Sequence, residues 1–80
     1  TLTTQAKTTL KAVETGLDIL QPGGLMTLMV YAGHPEGQVE KEELEDYLQA
    51  LDQSNYSVFK YQPLNQKNTP PYLLAIEKLA

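Results

Sequence analysis

Leu25 to Tyr31 reads Leu-Met-Thr-Leu-Met-Val-Tyr, an almost unbroken apolar run. A strand with one wet face alternates apolar and polar side chains, so this run predicts a strand covered on both faces. Its shortness and the bounding Gly23-Gly24 and Ala32-Gly33 favour strand over helix. Such a strand needs neighbours, and 80 residues are present to provide them. A chain of that length, one domain at most, barely closes an apolar core. With no Cys and a single His, disulfides, Cys-zinc sites and His-rich metal sites cannot reinforce it. A hydrophobic content of 41% still argues for a folded chain. No stretch approaches the ~18 apolar residues of a membrane span. The opening Thr1-Leu2-Thr3-Thr4 has neither the basic start nor the apolar core of a signal peptide, and no initiator Met. The expectation is a processed chain or a piece of a longer one.

Around the apolar run the remaining elements follow from periodicity. Ala6, Leu10, Val13, Leu17 and Leu20 recur at steps of four and three, which predicts an amphipathic helix from about Thr4 to Leu20. Gln21-Pro22-Gly23-Gly24 stops it, because proline cannot continue a helix and the glycines supply positive-φ positions. Ala32 to Gly37 reads as a loop. Val39 to Leu51 reads as a second helix with Leu44, Tyr47, Leu48 and Leu51 on its buried stripe. Tyr56 to Tyr61 is rich in strand formers, and Lys60 among them suits a sheet edge. After a loop over Pro63–Pro71, Tyr72 to Ile76 reads as an interior strand.

The order is helix, strand, helix, strand, strand, an α/β class. Leu25 to Tyr61 fits one right-handed βαβ crossover. The last strand is more apolar than the one before it. It is therefore placed between the other two, antiparallel and inserted beside the edge strand.

That arrangement resembles the C-terminal half of a Rossmann-like class I S-adenosylmethionine (SAM)-dependent methyltransferase sheet. Leu20-Gln21-Pro22-Gly23-Gly24-Leu25 is similar to the turn that precedes the fifth strand there. Two longer phrases narrow the resemblance, Val30-Tyr31-Ala32-Gly33-His34-Pro35-Glu36-Gly37 and Asn65 to Lys78. Both are similar to segments of small bacterial methyltransferases long labelled rRNA methylases, as are Thr3-Thr4 and Thr8-Thr9. The resemblance covers essentially the whole chain. It implies a cytoplasmic enzyme that methylates an aminomethyl group on the wobble uridine of tRNA, or acts on rRNA, with SAM as methyl donor. It also implies that residues 1–80 are one partial domain. The glycine-rich loop after a first strand, and the acidic residue that holds the ribose, have no counterpart here. The cofactor site is thus expected mostly in an N-terminal half, with no cofactor-binding residue in this stretch and no activity by itself.

On that reading, candidate substrate-binding residues lie in two segments. Tyr31, Gly33, His34 and Gly37 follow the carboxyl end of a parallel strand, the usual ligand edge. His34 could hydrogen-bond a nucleotide or help remove a proton from an attacking amine, or it could simply serve the turn. Gly33 and Gly37 could admit a ligand to the backbone, although turn geometry is the commoner use of glycine. Asn65, Lys67 and Asn68 form a polar loop in which lysine can contact phosphate and asparagine can read a base; the alternative is a solvated loop. Thr69-Pro70-Pro71-Tyr72 looks like an amino-methylating motif but leads into the wrong strand, so its expected role is structural. No catalytic residue is assigned. The acidic run from Glu36 to Asp46 lacks the spacing of a calcium loop and is read as a solvated helix face, with no metal.

The chain carries a formal net charge of −4, and its six basic residues are all Lys. The absence of Arg, the preferred fork for phosphate and base edges, weighs against a self-sufficient nucleic-acid binder but not against a nucleic-acid enzyme whose basic surface lies elsewhere. The competing function is a free-standing α/β interaction module that forms a homodimer through the exposed edge of the Leu25–Tyr31 strand and catalyses nothing.

Overall fold

The computed structural model describes residues 4–31, 33 and 35–80. The chain runs α1 (Thr4–Ile19), β1 (Leu25–Val30), α2 (Pro35–Gln49), β2 (Tyr56–Tyr61) and β3 (Tyr72–Lys78). The sheet order is β1-β3-β2, with both contacts antiparallel. β1 and β2 therefore run the same way with the last strand between them, as the relative apolarity of the strands predicts.

The registers divide the sheet into two faces. Met26 lies opposite Ile76, Leu28 opposite Leu74 and Val30 opposite Tyr72. On that face Val30, Tyr72, Leu74 and Ile76 are buried against Val13 and Leu17 of α1 and Leu44 and Leu48 of α2, with Met26 and Leu28 partly buried beside them. Both helices thus cover one face. Each fully buried Leu or Ile contributes about 1.5–3 kcal/mol of transfer free energy, so these few residues hold the two layers together.

The other face is open, which corrects the expectation for β1. Its burial alternates along the strand. Leu25 and Met29 are exposed, as are Phe59 and Tyr61 on the same side of β2. The apolar run does fill both faces of the strand with hydrocarbon, but helices pack on only one of them. Among the described residues, the outer edge of β1 also has no partner strand.

Two more boundaries differ from expectation. α2 begins at Pro35 rather than Val39, because proline is tolerated in a first helical turn, where no N–H bond is needed. β3 continues to Lys78 because the turn after α1 clamps its end. The Gly23 N–H donates to the Lys78 carbonyl at 2.7 Å, and the Lys78 N–H donates to the Gly24 carbonyl at 3.0 Å. Gly23 takes the positive φ, at 86°, that the turn needs. On the far side the Leu79 N–H donates to the Asn55 carbonyl at 2.7 Å. One end of the sheet is therefore laced shut by turns.

Candidate functional site

The open end is set by register. Val30, the last residue of β1, faces Tyr72, and Tyr61, the last of β2, faces Leu73. The segment after β1, the first turn of α2 and the loop from 62 to 71 therefore leave the sheet at the same end. The two stretches that carry the sequence-based candidates are brought together there by topology. In parallel-strand folds this is the end where ligands bind.

A pocket of about 170 Å³ opens beside the end of β1. Thr9 of α1, Val30, Tyr31, and Gly37, Glu40 and Leu44 of α2 line it, with Leu28 and Met29 along the strand. The Thr9 hydroxyl donates to Glu40 Oε1 at 2.6 Å and joins the two helices over the pocket. Glu40 is half-buried, so the reading of the whole acidic run as a solvated face is corrected at this residue. A signal for it was present in the sequence. Glu40, Leu44 and Leu48 are spaced by four, which sets the carboxylate on the buried stripe.

The candidates fare differently. Tyr31 and Gly37 line the pocket; Tyr31 is 65% exposed, and Gly37 is buried in the first turn of α2. Gly33 is exposed, and a Cβ there would meet nothing within 4 Å. No close approach of a neighbour therefore requires the glycine at this position. His34 lies outside the described residues. Asn65, Lys67 and Asn68 are exposed on the loop and do not line the pocket. Asn68 and Thr69 both have positive φ, at 64° and 52°. For a β-branched threonine that conformation is strained, and it turns the loop into the two prolines before Tyr72.

A second carboxylate of the acidic run is also engaged. The Tyr72 hydroxyl donates to Glu45 Oε2. Lys60 reaches the same oxygen at 3.3 Å, and its ammonium lies 4.7 Å from the Tyr72 ring centre. Burial by itself would raise the Glu45 pKa, but the hydrogen bonds from Tyr72 and Lys60 and the charges of Lys60 and Lys41 outweigh it and hold the carboxyl below its ordinary 4.5. Burial, then the hydrogen bond and charge of Glu45, push the Tyr72 phenol far above its ordinary 10.0. This cluster borders a groove of about 630 Å³ between α2 and β2. Tied up in this way, it straps the edge strand to the helix and leaves no free reactive group.

Comparison with known proteins identifies the family. The family model described as "Putative rRNA methylase" matches residues 1–77. The chain belongs to this rRNA methylase family. It is 42% identical over 67 residues to a chloroplastic tRNA (mnm(5)s(2)U34)-methyltransferase of Arabidopsis thaliana, covering 84% of this chain and 24% of that one. Among solved structures, a "putative methyltransferase" of Streptococcus mutans in complex with SAH superposes with a TM-score of 0.86 at 47% identity, over 95% of this chain and 42% of that one. An rRNA methylase from Streptococcus thermophilus gives 0.83 at 40% identity, over 100% of this chain and 45% of that one. The chain thus spans less than half the length of each of these relatives.

Family membership implies SAM, and two cavities of this chain are candidates to hold it. The pocket at the end of β1, at about 170 Å³, falls below the ~300 Å³ at which sites for ligands of that size begin. The larger groove has room, but its carboxylate, Glu45, is already taken up by Tyr72 and Lys60 and cannot hold a ribose diol. Neither fits SAM. Among the described residues no group of three or more His, Cys, Asp or Glu side chains could hold a metal ion, and no helix is long and apolar enough to cross a membrane.

Proposed function

We propose that this chain is the C-terminal part of a SAM-dependent enzyme that methylates the aminomethyl group on the wobble uridine of tRNA. The observation that carries the reading is the 42% identity, over 84% of this chain, to a relative named for methylation of that nucleotide. The geometry supports it. The sheet order, with an antiparallel last strand beside the edge, is that of the C-terminal half of a class I methyltransferase sheet. The segment after β1 and the loop from 62 to 71 meet at its ligand-binding end.

In this reading Tyr31, Gly33, His34 and Gly37 border the substrate nucleotide, and Asn65, Lys67 and Asn68 meet RNA beside it. Lys67 contacts a phosphate as a point charge. The net charge of −4 is consistent with a basic RNA-binding surface that lies mostly in the rest of the longer protein. The working compartment is the cytoplasm, where tRNA is available. The test is methyl transfer from labelled SAM by the full-length protein to tRNA carrying or lacking the aminomethyl group. Label confined to the aminomethylated wobble position is expected; label in rRNA alone, or none, overturns the reading.

A second reading rests on the exposed apolar face bearing Leu25, Met29, Phe59 and Tyr61 and on the unpaired edge of β1. A non-catalytic module would pair with a second copy through that surface. The intact mass of the polypeptide in its native source separates the two, since the enzyme reading requires a chain more than twice as long.

A further inference from the structure

We propose that Glu40, held by Thr9, is the receptor for the primary ammonium group of the substrate, and so sets specificity for an aminomethyl arm over neutral or acidic ones. This rests on the substrate reading above and names the group within the chain that recognises that substrate. Among the described residues that line the pocket at the end of β1, Glu40 is the charged one, set against walls of Leu28, Val30 and Leu44, and none is a lysine. A half-buried carboxylate beside hydrocarbon favours a cationic partner.

The Thr9 hydroxyl donates to Oε1 and fixes the carboxylate in place. Among the described residues no hydrogen-bond donor is directed at Oε2. A volume of about 170 Å³ equals the share of roughly six waters. That is room for a short aminomethyl arm and too little for a whole nucleoside. A metal ion would need more ligands than this single carboxylate provides, whereas an ammonium group brings its own N–H donors. A carboxylate on the substrate arm would meet like charge here and be refused. Tyr31 stands at the rim, placed to pack beside the base as the arm enters.

The test measures binding of full-length protein to two anticodon stem-loop RNAs, one with 5-aminomethyluridine and one with 5-hydroxymethyluridine at the wobble position, by fluorescence anisotropy at fixed salt. The wild type should favour the amine by roughly tenfold, as expected of one charge-assisted hydrogen bond. Glu40→Gln should reduce that preference to about twofold or less. Thr9→Val should reduce it partly. If Glu40→Gln does not fold, Glu40→Asp serves in its place and should weaken the preference by shortening the reach. Equal binding of both loops by the wild type overturns the proposal alone, as does an undiminished preference in a folded Glu40 variant. Binding of neither loop overturns the tRNA reading, and this proposal falls with it.

Discussion

Replacing Tyr72 by Phe isolates the hydrogen bond by which the central strand β3 holds α2. The Tyr72 side chain is 2% exposed, so Phe keeps the ring packed and removes only the hydroxyl that donates to Glu45. A hydrogen bond to a charged group is worth about 1.5–3 kcal/mol. The Glu45 side chain is 20% exposed and keeps Lys60, so water and the ammonium replace part of what is lost. The expected cost is therefore near the lower end, about 1.5 kcal/mol. Lys60 is 38% exposed at its side chain, and Lys60→Met should cost less, under about 1 kcal/mol. The pH dependence gives the argument a sign. The folded Glu45 pKa is depressed, so its contribution is present above the ordinary value of 4.5 and lost as pH falls through the folded value. Denaturant unfolding of full-length wild type, Tyr72→Phe, Glu45→Gln and the double variant checks both points, at neutral pH and again well below the carboxylate range. The Tyr72→Phe deficit should shrink in acid, and the neutral-pH cycle should show coupling of about 1 kcal/mol. A deficit independent of pH, or additive variants, would refute the charge-assisted strap.

Three other outcomes follow from the same structure. The raised Tyr72 pKa stabilises the fold fully below the ordinary phenol value of 10.0, and that contribution fades as pH rises toward the folded value. Spectroscopic titration of phenolate should therefore find one tyrosine ionising only with alkaline unfolding, and Tyr72→Phe should abolish that late step. Gly24→Ala should destabilise by about 1–3 kcal/mol by thermal melting, because the new Cβ would lie 2.8 Å from the Gln21 carbonyl and 2.6 Å from Leu20 Cδ1. His34→Ala in the full-length protein should lower tRNA methylation more than SAM affinity, as measured by turnover and calorimetry; unchanged turnover would leave His34 a turn residue.

Elements with a strong period were legible in the sequence. The spacing of Leu10, Val13 and Leu17 marks the face that α1 buries, and the bounds of β2 coincide with the run Tyr56–Tyr61. Even the non-sequential strand order followed from comparing the apolarity of Tyr72–Ile76 with that of its predecessor. What was not legible has physical reasons. Pro35 looks like a breaker, yet it starts a helix, because its missing N–H costs nothing there. The composition of β1 records that both faces are hydrocarbon and says nothing of which face a helix covers. Within a row of glutamates, charge alone cannot separate the two that are engaged. Glu40 is betrayed by its phase with Leu44 and Leu48, whereas Glu45 is found only through long-range partners, Lys60 and Tyr72.

The strand order also governs how the molecule assembles during synthesis. β3 forms every pairing in the sheet, yet it is the last of the three strands to be made. While it is still inside the ribosome, β1 and β2 lack the strand they pair with among the described residues. The seam Gly23–Lys78 closes across more than fifty intervening residues. The loop entropy of that distant closure falls due in a single late event. Until Tyr72 emerges, the pairings of β1 and β2 described here wait on the last strand.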